Sequence, residues 1–136
     1  MSTLADSNLW VYYSRPKSPL SLKQFVTPFL TAPDAVLVEP VVFEVMGFAK
    51  PLDKLKLQQI FDKMTLLATP VDIWTKAAEL GQRCRQAGIV IGSMDLLIAA
   101  TAIHHQLTLI TFDQDFQKLA TLSTLQVNLL QKPTAP

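Results

Sequence analysis

The sequence predicts a three-layer α/β domain, in which a central, mainly parallel sheet of about four to five strands is flanked by helices. Three observations lead there. Short apolar, often β-branched runs are bounded by turn residues, as between Leu107 and Thr111. Segments of helical spacing separate them, and parallel strands need such crossovers. The chain of 136 residues is long enough for one core and too short for two.

In chain order, residues 3–5 read as a short buried strand that stops at Asp6. Residues 8–13 follow as a helix, ended before Arg15-Pro16 because proline disfavours helical backbone in the residue preceding it. Residues 20–30 carry helical spacing through Leu22, Phe25, Val26 and Phe29, and Pro28 bends or ends that helix. Residues 35–38 form a strand, and Pro40 suits the first turn of a helix reaching about Lys50. A further periodic segment covers residues 53–67, with Leu55, Ile60, Phe61 and Leu67 on its inner side. Residues 69–71 read as a strand. Asp72 caps a helix over residues 73–86, closed by Gly88 in the left-handed position after its end. Ser93 opens a helix reaching His105, residues 107–111 form a strand, residues 115–122 a helix and residues 125–130 the last strand. Residues 1–131 are expected as one domain, and residues 132–136 as a flexible tail. In parallel α/β sheets, ligands bind outside the carboxyl ends of the strands. Asp6 and the Asp113 region end the first and fourth strands, so both are expected on one edge.

Composition narrows the function classes. Hydrophobic residues make up 49% and charged residues 17%, which implies a deep core or an apolar face covered by a partner. Phe25, Phe29 and Leu30 are the expected contributors to such a face. No run approaches the ~20 apolar residues of a spanning helix. Residues 1–8 lack the basic and apolar regions of a secretory leader, so neither membrane insertion nor export is expected. Cys84 is the only cysteine, which excludes an internal disulfide, suits a reducing cytoplasm and reads as an inert helix residue. A net charge of +1 argues neither for nor against nucleic acid; a protein that holds it by bulk electrostatics is usually clearly basic, so any phosphate contact must be local or carried by metal. The densest basic group, Lys50, Lys54 and Lys56, reads as a solvated helix face.

Four acids stand apart from their polar fellows. Asp6 follows directly on a buried strand. Glu44 has Pro40, Val41, Gly47 and Phe48 as its helical neighbours, so it lies on an apolar face. Asp95 sits among the most hydrophobic sequence in the chain, and Asp113 follows Leu107 to Phe112. A carboxylate buried alone costs several kcal/mol or takes up a proton, and several together repel one another. A hard divalent ion reverses that sign, since Mg²⁺ prefers oxygen ligands and is held by few carboxylates beside substrate phosphate. Each acid also has a structural reading. Asp95 could serve a helix dipole, Asp113 or Asp115 could cap a helix, Asp6 could make an Asx-turn, and Glu44 could pair with Lys or Arg. Spacing alone leaves these open. His104 and His105, adjacent on a helix, point about 100° apart and cannot chelate one ion. Trp10, Tyr12 and Tyr13 suit core packing better than stacking on bases.

Taken in order, four segments resemble the motifs of PIN domains, and specifically of bacterial VapC toxins. The run from Leu4 through Asp6, Ser7 and Asn8 resembles the family's opening strand-Asp-Ser/Thr-Asn motif. Phe43 to Gly47 is similar to its Glu followed three residues later by Gly. Gly88 to Ala102, around Ser93 and Asp95, is the most specific match, and Leu109 to Phe116 resembles its Thr-x-Asp-x-Asp-Phe motif. The likeness spans nearly the whole chain. Its departures are Ala5, where a larger aliphatic is usual, and Gln106, in a turn often filled by Gly.

The resemblance implies a PIN-like fold and catalytic, metal-holding roles for Asp6, Glu44, Asp95 and Asp113, with Mg²⁺ or Mn²⁺ as the ion. It implies that Asp115 supports the site or caps the helix, and that the Ser7 and Thr111 hydroxyls hydrogen-bond the carboxylates. Gly47 would leave room beside Glu44, and Gly92 would allow the turn that places Ser93 and Asp95 at a helix start. The implied activity is metal-dependent endoribonuclease cleavage of RNA phosphodiesters, leaving a 5′-phosphate and a 3′-hydroxyl without a side-chain nucleophile. The implied partners are RNA, a small antitoxin encoded beside the toxin, and a second copy in a homodimer. The alternative is a catalytically silent PIN-like module that binds RNA or protein, which loss of an acid would mark; all four are present. A phosphatase-type domain would need a nucleophilic Asp pair after the first strand, where Asp6 is instead followed by Ser7 and Asn8.

Overall fold

A computed structural model describes residues 1–134. Over these the chain runs β1 (Thr3–Ala5), α1 (Ser7–Ser14), α2 (Leu20–Leu30), β2 (Ala35–Val38), α3 (Glu39–Phe48) and α4 (Pro51–Phe61). It continues through β3 (Leu66–Leu67), α5 (Ile73–Gln86), α6 (Ser93–His104), β4 (Thr108–Thr111), α7 (Gln114–Thr121) and β5 (Gln126–Leu129). The strands form one sheet in the order β3-β2-β1-β4-β5, and every pairing among the described residues is parallel. This is the helix-flanked α/β architecture that the sequence predicts.

The strand order reverses at β1. The chain steps outward through β2 and β3, then returns to place β4 on the other side of β1. That reversal opens a crevice at the carboxyl ends of β1 and β4, where α/β sheets bind their ligands. Leu4 of β1, Leu37 and Val38 of β2 and Leu109 of β4 are buried, as expected of central parallel strands covered on both faces. Trp10 of α1 is buried edge-on against Phe61, with ring centroids 4.8 Å apart, and Tyr13 packs beside it. Cys84 lies in the same core. Gly81 lets α5 lie close on α6, because a Cβ there would meet Leu96 Cδ1 at 3.0 Å.

Several local expectations are corrected. The helix expected over residues 53–67 is α4, which closes at Phe61 in a tight turn where Lys63 N donates to Ile60 O and Met64 N to Phe61 O. The freed segment becomes β3, so the third strand lies at Leu66–Leu67 and not at residues 69–71. There Pro70 offers no N–H to a ladder and Val71 is 96% exposed. Asp72 holds the N-cap position of α5 without a side-chain cap bond, and its carboxylate reaches Lys76 at 3.3 Å instead. α6 opens at Ser93, as expected, but Gly92 at its N-cap takes extended backbone with φ −67°, so the turn there needs no glycine. Leu30 is buried and Phe25 and Phe29 pack on the core, since α2 lies against α1. The exposed apolar side chains include Phe43 and Phe48 on α3 and Trp74 on α5. Lys132, the first residue of the expected tail, lies over the Tyr12 ring at 4.7 Å; Ala135 and Pro136 of that tail fall outside the described residues.

The histidines have a structural role. His105 Nε2 donates to the Ala68 carbonyl oxygen at 2.7 Å, tying the end of α6 to the segment after β3. The next residue, Gln106, takes φ 57°, and Gly88 takes φ 73° after α5. A side chain in the left-handed region costs about 1–2 kcal/mol, against which glycine's extra freedom in the unfolded chain offsets about half. Gln106→Gly should therefore stabilise the protein by about 0.5–1 kcal/mol, read as a higher urea midpoint with unchanged slope. A lower midpoint would mean that the turn carries no strain.

Candidate functional site

The site begins with a register. β1 and β4 pair with Ala5 opposite Ile110, so the next residues along, Asp6 and Thr111, come side by side. Asp6 N donates to Ile110 O at 2.8 Å, which extends the ladder by one bond and fixes the backbone that carries the carboxylate. The buried Thr111 hydroxyl donates to Asp6 Oδ2 at 2.8 Å and accepts from Asp113 N at 3.0 Å. Asp113 Oδ1 in turn accepts from Asp115 N at 2.9 Å and so caps α7. On the other side, Ser7 N donates to Asp6 Oδ1 at 2.7 Å, and Asp6 caps α1.

Thr111 thus supports the carboxylates through its hydroxyl, as expected. Ser7 does so through its amide. Its hydroxyl oxygen is buried with no hydrogen-bond partner among the described residues, which corrects the expected role.

Asp95 enters from the first turn of α6, and Glu44 from the middle of α3, which packs against α6. Asp6, Glu44, Asp95 and Asp113 line one open cleft of about 420 Å³. Asp95, Asp113 and Asp115 each offer an oxygen within 4.8 Å of the others, so Asp115 comes closer to the centre than a purely supporting role required. Three helix N-termini, those of α1, α6 and α7, meet here, and their amide dipoles favour negative charge.

That favour is insufficient. Burial lifts the Asp6 carboxyl from 3.8 to about 6, against the lowering effect of the Thr111 and Ser7 hydrogen bonds, and the charges of Glu44 and Asp113 add to the rise. Burial, followed by the charges of Asp6, Asp113, Glu44 and Asp115, lifts Asp95 to about 7. Among the described residues, the ion pairs involve Asp72 and Asp115 but none of the four acids, so the Lys or Arg pairing open to Glu44 does not form. Capping explains the position of Asp6 and Asp113. It does not explain why four carboxylates share one cleft. An all-oxygen, unneutralised donor set fits a hard divalent cation such as Mg²⁺ or Mn²⁺.

Glu39, at the start of α3, accepts from Thr69 Oγ1 at 2.8 Å and lines a different groove. Gly47 has nothing within 4 Å of its Cβ position, so it borders open space one turn beyond Glu44. The cleft also includes Asn8, Tyr12, Arg15 and Phe48, which the sequence reading did not assign to it. Asn8, Tyr12 and Arg15 recur at helical spacing from the Asp6 cap, and that spacing was the available signal.

The raised carboxyls make the metal-free protein pH-sensitive. A folded pKa above the unfolded one contributes stability that is present below about pH 4 and is lost as pH rises through 6 to 7. In EDTA, stability should fall by on the order of 2 kcal/mol between about pH 5 and pH 8, seen as a drop of several degrees in Tm. Thr111→Val, which removes a bond to the ionised Asp6, should deepen the fall and extend it to higher pH. A flat profile for both proteins would contradict the raised carboxyls of Asp6 and Asp95.

The sequence profile of the PIN domain matches residues 3–122. Ribonuclease VapC21 of Mycobacterium tuberculosis is 30% identical over 74 residues, covering 53% of this chain and 54% of that protein. The chain therefore spans about half the length of the curated relatives it matches. Its fold is similar to VapBC2 from Rickettsia felis bound to a promoter DNA fragment, with TM-score 0.75 and 22% identity over 96% of this chain and 100% of that one. It is also similar to VapBC-1 from nontypeable Haemophilus influenzae, with TM-score 0.69 and 20% identity over 95% and 98% of the two chains. Matched from its first strand to the residue after α7, the chain belongs to the PIN domain family.

Proposed function

We propose that the chain is a metal-dependent endoribonuclease of the VapC type, the toxin of a toxin–antitoxin pair. The observation that carries this reading is the meeting of Asp6, Glu44, Asp95 and Asp113 in one cleft, none of them in an ion pair among the described residues. The likeness to Ribonuclease VapC21 supports the choice of RNA.

Asp6, Glu44, Asp95 and Asp113 would hold Mg²⁺ or Mn²⁺, with Asp115 able to replace or assist Asp113. When bound, the ion supplies Lewis acidity at the scissile phosphate and lowers the pKa of a water. The protein's own part is positioning. Thr111 holds Asp6 and Asp113 at a set separation, and the Ser7 amide fixes the second Asp6 oxygen. Glu44 and Asp95, each outside every ion pair among the described residues, keep their carboxylate oxygens available to the ion. No side-chain nucleophile is required, and the products would carry a 5′-phosphate and a 3′-hydroxyl.

The partners follow from the same reading. The fold neighbours are VapBC complexes, which supports a small antitoxin as the physiological inhibitor. A homodimer is supported by an apolar groove of about 490 Å³ among α3, α5 and α6, where Phe43 and Trp74 are 70% and 64% exposed. Among the described residues no helix is long and apolar enough to cross a membrane, and the unpaired, buried Cys84 suits the cytoplasm in which we place the reaction.

Cleavage of total RNA by the purified chain in Mg²⁺ or Mn²⁺, with mapping of 5′ ends, tests the enzyme. Cuts bearing 5′-phosphates are expected, abolished by EDTA and reduced by about 100-fold or more in Asp95→Asn. Cutting retained by that variant would sink the site assignment, and no metal-dependent cutting would favour the silent binding module. For the dimer, sedimentation should give two copies for the wild type and one for Trp74→Glu; a wild-type monomer at micromolar concentration would contradict it.

A further inference from the structure

A chain of net charge +1 has little to hold RNA at large, and an acid-lined cleft repels phosphate. The cations that could offset this gather at one corner of the cleft. Arg15, at the end of α1, lines the acid cleft and also a neighbouring pocket of about 280 Å³ walled by Lys17 and Lys50. All three are exposed, and the ion pairs among the described residues engage other lysines, Lys76 and Lys118. Asp53 is the carboxylate on the wall of that pocket, one negative charge facing three positive ones. Lys50, Lys54 and Lys56 are all exposed, as expected, but Lys50 borders the pocket while Lys56 lies 5.4 Å from the Tyr13 ring.

Between cleft and pocket stands Phe48, 72% exposed and lining both. It lies one helical turn beyond Glu44, so its ring sits beside the acids. An exposed aromatic ring with unpaired cations next to it is the combination that binds single strands, through base stacking and backbone phosphates. A protein partner would use the ring, but would leave three cations unmatched unless it were acidic.

Resting on the ribonuclease reading, we propose that this corner is the subsite for the RNA strand beside the scissile phosphate, with Phe48 stacking on a base and Arg15, Lys17 and Lys50 binding phosphates. Contacts of this kind read no sequence, so selectivity among RNAs lies elsewhere on the chain.

The test is binding of a fluorescein-labelled single-stranded oligouridylate in EDTA, by anisotropy across a salt series. Phe48→Ala should weaken binding roughly tenfold, and Phe48→Trp should restore it. Arg15→Ala/Lys17→Ala/Lys50→Ala should lower the slope of log affinity against log salt by about two, from about 0.7 per lost phosphate contact. Lys63→Ala/Lys76→Ala/Arg85→Ala, which removes equal charge elsewhere, should leave most of the slope intact. A corner variant indistinguishable from that control, or no binding by the wild type, would overturn the subsite and turn attention to an acidic protein partner. A reduced slope in a chain that never cuts RNA would leave the subsite standing and the ribonuclease reading refuted. Cutting by a chain whose slope is unmoved would do the reverse.

Discussion

The hydrogen bond from the Thr111 hydroxyl to Asp6 is the contact on which the site depends. It joins the ends of two strands that are neighbours in the sheet but 105 residues apart in the chain. The same oxygen accepts the Asp113 amide, so one buried hydroxyl sets the distance between two acids and the start of α7. A hydroxyl can do this because it donates and accepts at once; valine, of the same shape, would hold neither acid. The β1–β4 register puts Thr111 in place, and that register is anchored by the buried Leu4 and Leu109 pair. Core packing thus reaches Asp6 and Asp113 through this side chain.

Stability and function make opposed demands on the acids. Asp6 and Asp113 cap helices, and Asp95 sits in a first turn, so each is favourable where it stands. Buried and brought together they are not, and the carboxyls of Asp6 and Asp95, lifted first by burial and then by neighbouring like charge, express the conflict. Capping also leaves coordinating capacity. The cap bond of Asp113 engages Oδ1 alone, and each carboxylate oxygen has a second lone pair. The same residues can therefore be helix caps in the fold and ligands in the site. The structural and functional readings of the sequence were never exclusive.

Much of this was legible in the sequence, for identifiable reasons. Strands β1, β2 and β4 are apolar runs ending at turn or acidic residues, and buried parallel strands allow little else. The four acids were visible because each stood in apolar company. β3 was missed because it has two residues, one of them exposed, and so carries no burial pattern. The β-branched residues that follow it drew the prediction instead. Ser7 was misjudged because sequence identifies the side chain but not whether the amide or the hydroxyl makes the bond. Leu30 was misplaced because helical spacing marks an apolar face without saying which helix covers it. The place of Arg15 in the cleft was legible only through its helical spacing from the Asp6 cap, a signal that a basic residue before proline did not advertise.

Glu44 differs from its partners in a way that explains the shape of the cleft. The other acids come from helix starts, Asp6 and Asp113 of them just beyond strand ends, whereas Glu44 reaches in from the middle of α3. Its helix is held by Val41 and Val45, which are buried, so the face carrying Glu44 is turned toward α6 and the acids. Continuing along that face brings the chain past the open space at Gly47 to Phe48. The helix that supplies the fourth carboxylate therefore also supplies the ring at the mouth of the site. Rotating α3 about its axis would displace both together, so the burial of Val41 and Val45 sets the place of the carboxylate and of the ring alike.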